Sequence, residues 1–219
     1  MRGKWGKCCG VSEMYEFKEF RIGDLFEIQT GSLVQSSTLT KGSIPRVSVT
    51  SANNGIVGYF DTESNKDARH FENFISVNFF GNAFYHSKKS SVEMKVHVLV
   101  IPNYSYTRET ALYIITALNK VLNDQFSYGE QLSSSDLKNN SLYISLPVTK
   151  AGEIDFEYMV SYIRELVAYL KVTGLTDYKL TADEEQFLEE YRTLIPPGGV
   201  KLIRISRCES YLNLRVTPS

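Results

Sequence analysis

Few residues in this 219-residue chain are spaced for covalent chemistry. Glu93-Met94-Lys95 has the carboxylate-x-lysine form of a metal-dependent nuclease site, with Asp67 as an upstream carboxylate. No Pro-Asp dipeptide precedes the triplet, and no second metal-binding carboxylate is clearly placed. A chain with 22% charged residues yields such a triplet by chance. His70, His86 and His97 are scattered, with no cysteine beside them and no metal-ligand spacing. Surface or structural roles account for each of them. Cys8, Cys9 and Cys208 form neither a disulfide framework nor a metal motif, and a reducing cytoplasm fits them best. The chain contains no glycine-rich phosphate loop and no Asn-Pro-Pro-Tyr motif. The expectation is a chain with no catalytic residue, no metal and no cofactor of its own.

The surrounding pattern is that of a folded, soluble chain, 42% hydrophobic and long enough for one sizeable core. The aromatic share is high, with 14 Tyr and 12 Phe. Tyr suits both strands and recognition surfaces. The formal net charge of −1 does not announce a polyanion binder. Acid is concentrated late: residues 155–195 hold 9 Asp+Glu against 4 Lys+Arg. No apolar run approaches the length of a membrane span.

Residues 1–13 lack periodicity and read as a disordered leader, with Met14 as a candidate natural start. Residues 17–150 read mainly as strands and turns. Asp24 is expected to cap a short helical turn over Leu25-Phe26-Glu27. Strands are expected over Ile44–Thr50, Ile56–Phe60, Phe74–Asn78, Ala83–His86, Val96–Ile101 and Leu142–Leu146. Asn53-Asn54-Gly55 is a strong turn signal. The period then changes. Glu109–Leu122 places Ala111, Leu112, Ile115, Leu118 and Leu122 on one helical face. Ser133–Asp136 caps a short helical turn. Residues 155–170 form a second helix with Asp155 as N-cap and a wide stripe of Phe156, Met159, Ile163, Leu166, Val167 and Leu170. A capping box at Thr181 and Glu184 starts an acidic helix that runs to Leu194. No internal repeat is visible.

A succession of blocks is distinctive as a set. It begins with Phe20-Arg21-Ile22-Gly23-Asp24-Leu25-Phe26-Glu27-Ile28 and Gly31. Ile44-Pro45-Arg46-Val47-Ser48-Val49-Thr50-Ser51 and Asn53-Asn54-Gly55-Ile56-Val57-Gly58-Tyr59 follow. Ile75-Ser76-Val77-Asn78, Gly81-Asn82-Ala83-Phe84-Tyr85-His86, Ala111-Leu112-Tyr113-Ile114, Phe126-Ser127-Tyr128-Gly129, Ile144-Ser145-Leu146-Pro147-Val148, Gly152-Glu153-Ile154-Asp155-Phe156-Glu157-Tyr158-Met159 and Tyr162-Ile163 complete it. In order and spacing, over residues 17–170, it resembles the target-recognition domain of restriction–modification specificity subunits, in the branch shared by type I and BcgI-like systems. The resemblance implies an α+β fold: a curved β-sheet target-recognition domain with short helices over 14–152, then a long spacer helix and a shorter acidic helix over 153–195. Residues 196–219 form a tail of unknown structure. It also implies a non-catalytic, cytoplasmic subunit that binds double-stranded DNA and directs a partner adenine methyltransferase subunit, with a possible restriction or translocase subunit, to a split site. S-adenosylmethionine, ATP and Mg would belong to those partners.

Recognition of DNA needs cations, amides and hydroxyls on turns. The candidates are Arg46, Ser48, Thr50, Ser51, Asn53 and Asn54 in one loop and Asn78, Asn82, Tyr85 and His86 in another. Lys41, Lys88 and Lys89 suit phosphates, and Tyr128 sits in a third loop. Turn chemistry explains the same asparagines, and solvation the same lysines. One recognition block is present where the family often carries two. The chain then reads as a half-subunit that pairs with itself, a truncated gene product or a fragment of something longer; a homodimer would form through the stripe from Phe156 to Leu170 and the acidic helix from Asp183 to Leu194. A nuclease built on Asp67, Glu93 and Lys95 and an orphan protein-interaction domain remain the alternatives.

Overall fold

The computed structural model describes residues 15–174, apart from 36 and 38. The leader, the acidic helix from Thr181 to Leu194 and the tail lie outside the described residues. The chain divides into two compact units between Tyr169 and Leu170. Of the second unit, the described part is the end of a helix and a turn in which Thr173 Oγ1 donates to the Leu170 carbonyl.

The first unit opens with β1 (Glu16–Arg21), α1 (Ile22–Leu25), β2 (Glu27–Thr30), β3 (Lys41–Val47), a 3-10 turn (Ala52–Gly55) and β4 (Ile56–Phe60). Then come β5 (His70–Phe71), β6 (Phe74–Asn78), β7 (Ala83–His86), β8 (Ser90–Val92) and β9 (Val96–Val100). α2 (Arg108–Leu122), α3 (Ser134–Asn139), β10 (Tyr143–Val148) and α4 (Phe156–Val172) complete the order.

The described strands form three sheets, within the α+β class expected. β2-β9-β6-β7 is antiparallel throughout; β4-β3-β8-β5 contains one parallel pair, β3 with β8; β1 and β10 form an antiparallel ribbon. Strand β6 explains the layering. All five of its residues are buried. Ile75 and Val77 pack with Ala111, Ile114, Leu118 and Leu122 of α2, while Phe74 packs with Val47, Val92, Val96 and Val98 beneath the second sheet. A strand covered on both faces puts polar residues inside, and β6 does so with Ser76 and Asn78.

Local chemistry sets the element ends. Thr107 accepts from the Thr110 amide at 3.2 Å and donates its own amide to Thr110 Oγ1 at 3.0 Å, a capping box that starts α2 one residue before Glu109. Thr110 and Ile114 turn inward, and Leu112 is exposed, contrary to the expected stripe. Ser133 and Asp136 make the second capping box, and these bonds hold the Asp136 carboxyl below its ordinary range. Asp155 Oδ1 accepts from the Tyr158 amide at 2.8 Å, capping α4 as expected. Asp24 pairs with Arg21 from inside α1 instead of capping the turn that follows. Gly81 needs to be glycine on two counts: φ is +86°, and a Cβ would lie 2.5 Å from the Leu122 carbonyl oxygen.

His86 sits in β7 with its ring stacked on Phe74 at 4.9 Å, and its Nε2 shares a 2.8 Å hydrogen bond with Ser76 Oγ. Burial pushes its pKa down to about 4. The unfolded chain, with an ordinary histidine near pH 6.5, binds the proton more readily, so stability is full above that pH. It falls by about 3 kcal/mol as pH drops from 6.5 to about 4. Urea titrations across this window should show the loss in the parent, and His86→Gln should flatten it. An equal slope in both would mean that other groups carry the acid sensitivity.

Candidate nucleic-acid interface

The register of the first sheet gathers several loops at one end. Asn78 faces Val96 across β6 and β9, and Val77 faces Ala83 across β6 and β7. The 78–82 turn and the 93–95 turn therefore project together. Parallel pairing of β3 with β8 brings the loop after Val47 to the same end: the Glu93 amide donates to the Val47 carbonyl at 2.9 Å, and Ser48 Oγ donates to the Glu93 carboxylate. The 127–132 loop joins them through the Leu132 amide, which donates to the Phe79 carbonyl at 2.8 Å. His97 Nε2 bonds the Leu132 carbonyl oxygen from beneath.

At this end the structure collects Ser48, Thr50, Ser51, Asn53, Asn54, Asn82 and Tyr128. Asn53, Asn54 and Gly55 take three successive left-handed conformations, with φ of 48°, 52° and 79°. Asparagine and glycine adopt these at low cost, which is why this sequence turns here. The turn leaves residues 51–54 exposed. Thr50 Oγ1 accepts from the Ala52 amide at 3.1 Å and stiffens the tip. Tyr128 is 84% exposed, the most open large aromatic side chain among the described residues.

Other candidates have different places. Arg46 is fully buried, its Nη2 donating to the Val34 carbonyl at 2.6 Å while Nε and Nη1 have no partner. Burial lowers its pKa, and the Glu93 charge opposes that shift. Asn78 is buried, and its Oδ1 accepts from the amides of Phe80 and Asn82 at 3.0 and 3.1 Å. His86 is buried against Phe74. These three are corrected from surface readers to internal supports of the loops. The physical reason is that all three lie at the buried ends of their strands. Tyr85 is half-buried, with its hydroxyl donating to Asn73 Oδ1 at 3.0 Å. Lys41, Lys88 and Lys89 lie at the far end, since Lys41 opens β3 and the other two precede the parallel β8. Lys89 is paired there with Glu63 at 2.5 Å.

The apolar stripe of α4 also divides. Met159 and Ile163 are buried in the first unit's own core, and Phe156 stacks on Tyr104 at 3.7 Å. Assigning these three to a partner seam is corrected on that ground. Leu166 and Val167 stay exposed at 44% and 37%, next to the exposed Tyr162 and Tyr169. Leu170 belongs to the second unit and is half-buried.

Among the described residues no group of three or more His, Cys, Asp or Glu is placed to hold a metal ion. Glu93 is engaged by Ser48, Lys95 lies over the Phe79 ring at 5.4 Å, and the Asp67 amide donates to Asn65 Oδ1. The nuclease alternative gains no support from these placements. No helix among the described residues is long and apolar enough to cross a membrane.

Sequence reasoning passed over Arg69 at the collected end. Its amide donates to Ser32 Oγ at 2.9 Å and its Nη1 to the Thr30 carbonyl at 3.0 Å. The signal for it was weak, because a lone arginine in the 61–70 loop has no periodicity to mark it.

Comparison with known proteins agrees with this architecture. The chain is 27% identical over 180 residues to the type II restriction enzyme BgcI specificity subunit S.BcgI of Heyndrickxia coagulans, covering 78% of this chain and 50% of that one. It thus spans about half the length of the curated relative it matches. The S subunit of a type I restriction-modification system from M. genitalium superposes with a TM-score of 0.55 at 16% identity, over 74% of this chain and 41% of that one. The HsdS subunit from Thermoanaerobacter tengcongensis gives 0.52 at 13% identity, over 82% and 44%. Both structural likenesses concern the fold. The family model of the type I restriction modification DNA specificity domain matches residues 14–172, most of the chain, and the chain belongs to that family.

Proposed function

We propose that this chain is the sequence-reading, non-catalytic part of a restriction–modification complex. It binds double-stranded DNA with the loop end of its first sheet and delivers a partner adenine methyltransferase to one half of a split site. The observation that carries this reading is the convergence of residues 48–54, 78–82 and 127–131 at one end of a rigid sheet in a chain of this family. Exposed amides and hydroxyls on stiff turns read base edges, and a rigid sheet keeps their spacing. S-adenosylmethionine belongs to the methyltransferase, and ATP and Mg to any nuclease or translocase subunit that joins the complex in the cytoplasm.

The test is a comparison of DNA methylation in cells with and without this gene. Loss of adenine methylation at one defined motif supports the reading. An unchanged methylation pattern in cells that express the protein sinks it.

Two copies complete the split site. Among the described residues α4 leaves Tyr162, Leu166, Val167 and Tyr169 exposed along one stretch. Pairing two identical recognition units makes the two half-sites related by two-fold symmetry. Sedimentation should give a dimer, and Leu166→Asp with Val167→Asp should give monomers of unchanged thermal midpoint. A monomeric parent at micromolar concentration contradicts the pairing.

A further inference from the structure

The loop end carries two cations whose positions are fixed by neutral partners. Arg69 is tied through its guanidinium to the Thr30 carbonyl and through its amide to Ser32 Oγ. Lys95 is held over the face of Phe79. The backbone brings them to either side of one residue. The Val92 amide donates to the Arg69 carbonyl at 3.1 Å, and Lys95 lies two residues beyond Glu93. No carboxylate forms an ion pair with either among the described residues. Glu93 itself is turned to the Ser48 hydroxyl and the buried Arg46. Three cations elsewhere are paired with carboxylates, Lys89 with Glu63, Arg21 with Asp24 and Arg164 with Glu109, while Lys18, in the β1–β10 ribbon, lies over the Phe20 ring at 5.6 Å.

A cation held by a carbonyl or a ring keeps its full charge while losing side-chain freedom. That combination costs stability in the free protein and suits an incoming anion, because less entropy is lost on contact. A row of phosphates is the anion that a recognition loop meets. We propose that Arg69 and Lys95 form a phosphate clamp that sets the register of the loop end on the DNA backbone, in place of the lysines at 41, 88 and 89. The inference rests on the DNA-reading role proposed above. Arg69 can grip two phosphate oxygens with its planar fork, and Lys95 supplies a point charge.

The experiment is duplex binding by the full chain over a series of salt concentrations, on a long mixed-sequence duplex. Neutralising one phosphate contact lowers the slope of log affinity against log salt by about 0.9. Arg69→Ala and Lys95→Ala should each show that decrease, and the double variant about twice as much. Lys88→Ala should leave the slope unchanged. Lys95→Arg and Arg69→Lys should restore most of it, which a packing defect would not. An unchanged slope in the double variant overturns the clamp, and so does an equal decrease in Lys88→Ala. A parent that binds no duplex in any salt overturns the functional reading and the clamp with it; a parent that binds with a slope insensitive to both residues overturns the clamp alone.

Discussion

Ser51→Asp combined with Asn54→Asp should lower affinity for the target duplex at least about 100-fold, since like charges brought together across an interface cost several kcal/mol. Both residues are exposed at the tip of the 48–55 loop. Asn54 has φ of 52°, a conformation that aspartate tolerates nearly as well as asparagine, so the fold accepts the change. The thermal midpoint should therefore stay where it is while binding is lost. DNA presents a phosphate charge about every 1.7 Å along its axis, so two carboxylates on a reading loop have no position free of repulsion. The same substitutions at Lys88 and Lys89, at the far end, should cost much less. Equal binding by the parent and the Ser51/Asn54 variant would show that this loop does not face the duplex.

Phe74→Ala should cost about 3–5 kcal/mol of unfolding free energy. Phe74 has no exposed surface and fills the space between the two four-stranded sheets, against Val47, Val92, Val96 and Val98. Its ring stacks on His86 at 4.9 Å and meets Phe71 at 5.9 Å. That cluster is small, so few neighbours can close the cavity. A domain of this kind has a total stability of about 5–15 kcal/mol, and the loss is a large part of it. The second sheet carries the 48–54 loop, so DNA binding should fall with it even where the α2 side stays folded. Phe74→Leu, which keeps most of the volume, should cost much less. Denaturant titration of both variants checks this, and a loss under about 1 kcal/mol for the alanine variant would show that the inter-sheet core contributes little.

Periodicity made the strands legible one by one. Ile56–Phe60, Phe74–Asn78 and Ala83–His86 have the bounds that alternation and turn residues give them. Their assembly was less legible. The α+β class is the expected one, but the division of the described strands into two four-stranded sheets and a ribbon is not legible, because nothing in a local pattern says which strands pair. The expected strand Leu142–Leu146 stops short of Pro147. Pro147 lies inside β10, whose one strand partner among the described strands is β1, with an isolated bridge from Val148 to Ile154 besides. A strand with a free edge tolerates a residue without an amide hydrogen.

The site was legible as loops and less so as residues. Asn53-Asn54-Gly55 announced its turn through residues that accept positive φ. Arg46, Asn78 and His86 looked like surface polar groups because alternation alone cannot distinguish a face toward water from a face toward a second sheet. Burial of a polar group is offset by its hydrogen-bond partners, and some of these are remote in sequence, such as the Val34 carbonyl for Arg46 at 2.6 Å. The α4 stripe misled for a related reason. A stripe wide enough for two surfaces does not say where one ends, and Met159 and Ile163 went to this unit's core while Leu166 and Val167 stayed outside. Lys95 was noticed as part of a nuclease triplet, but its perch on Phe79 is a tertiary contact that sequence spacing does not encode.

The central claim is that the loop end chooses the DNA sequence. The most direct measurement replaces residues 50–54 with the corresponding loop of a relative that has a different target, and then reads the adenine methylation of the whole genome by sequencing. The account predicts that methylation leaves the parent motif and appears at a new one altered in the half-site this loop reads. Methylation of the parent motif at its original level, from a protein carrying the exchanged loop, would contradict it.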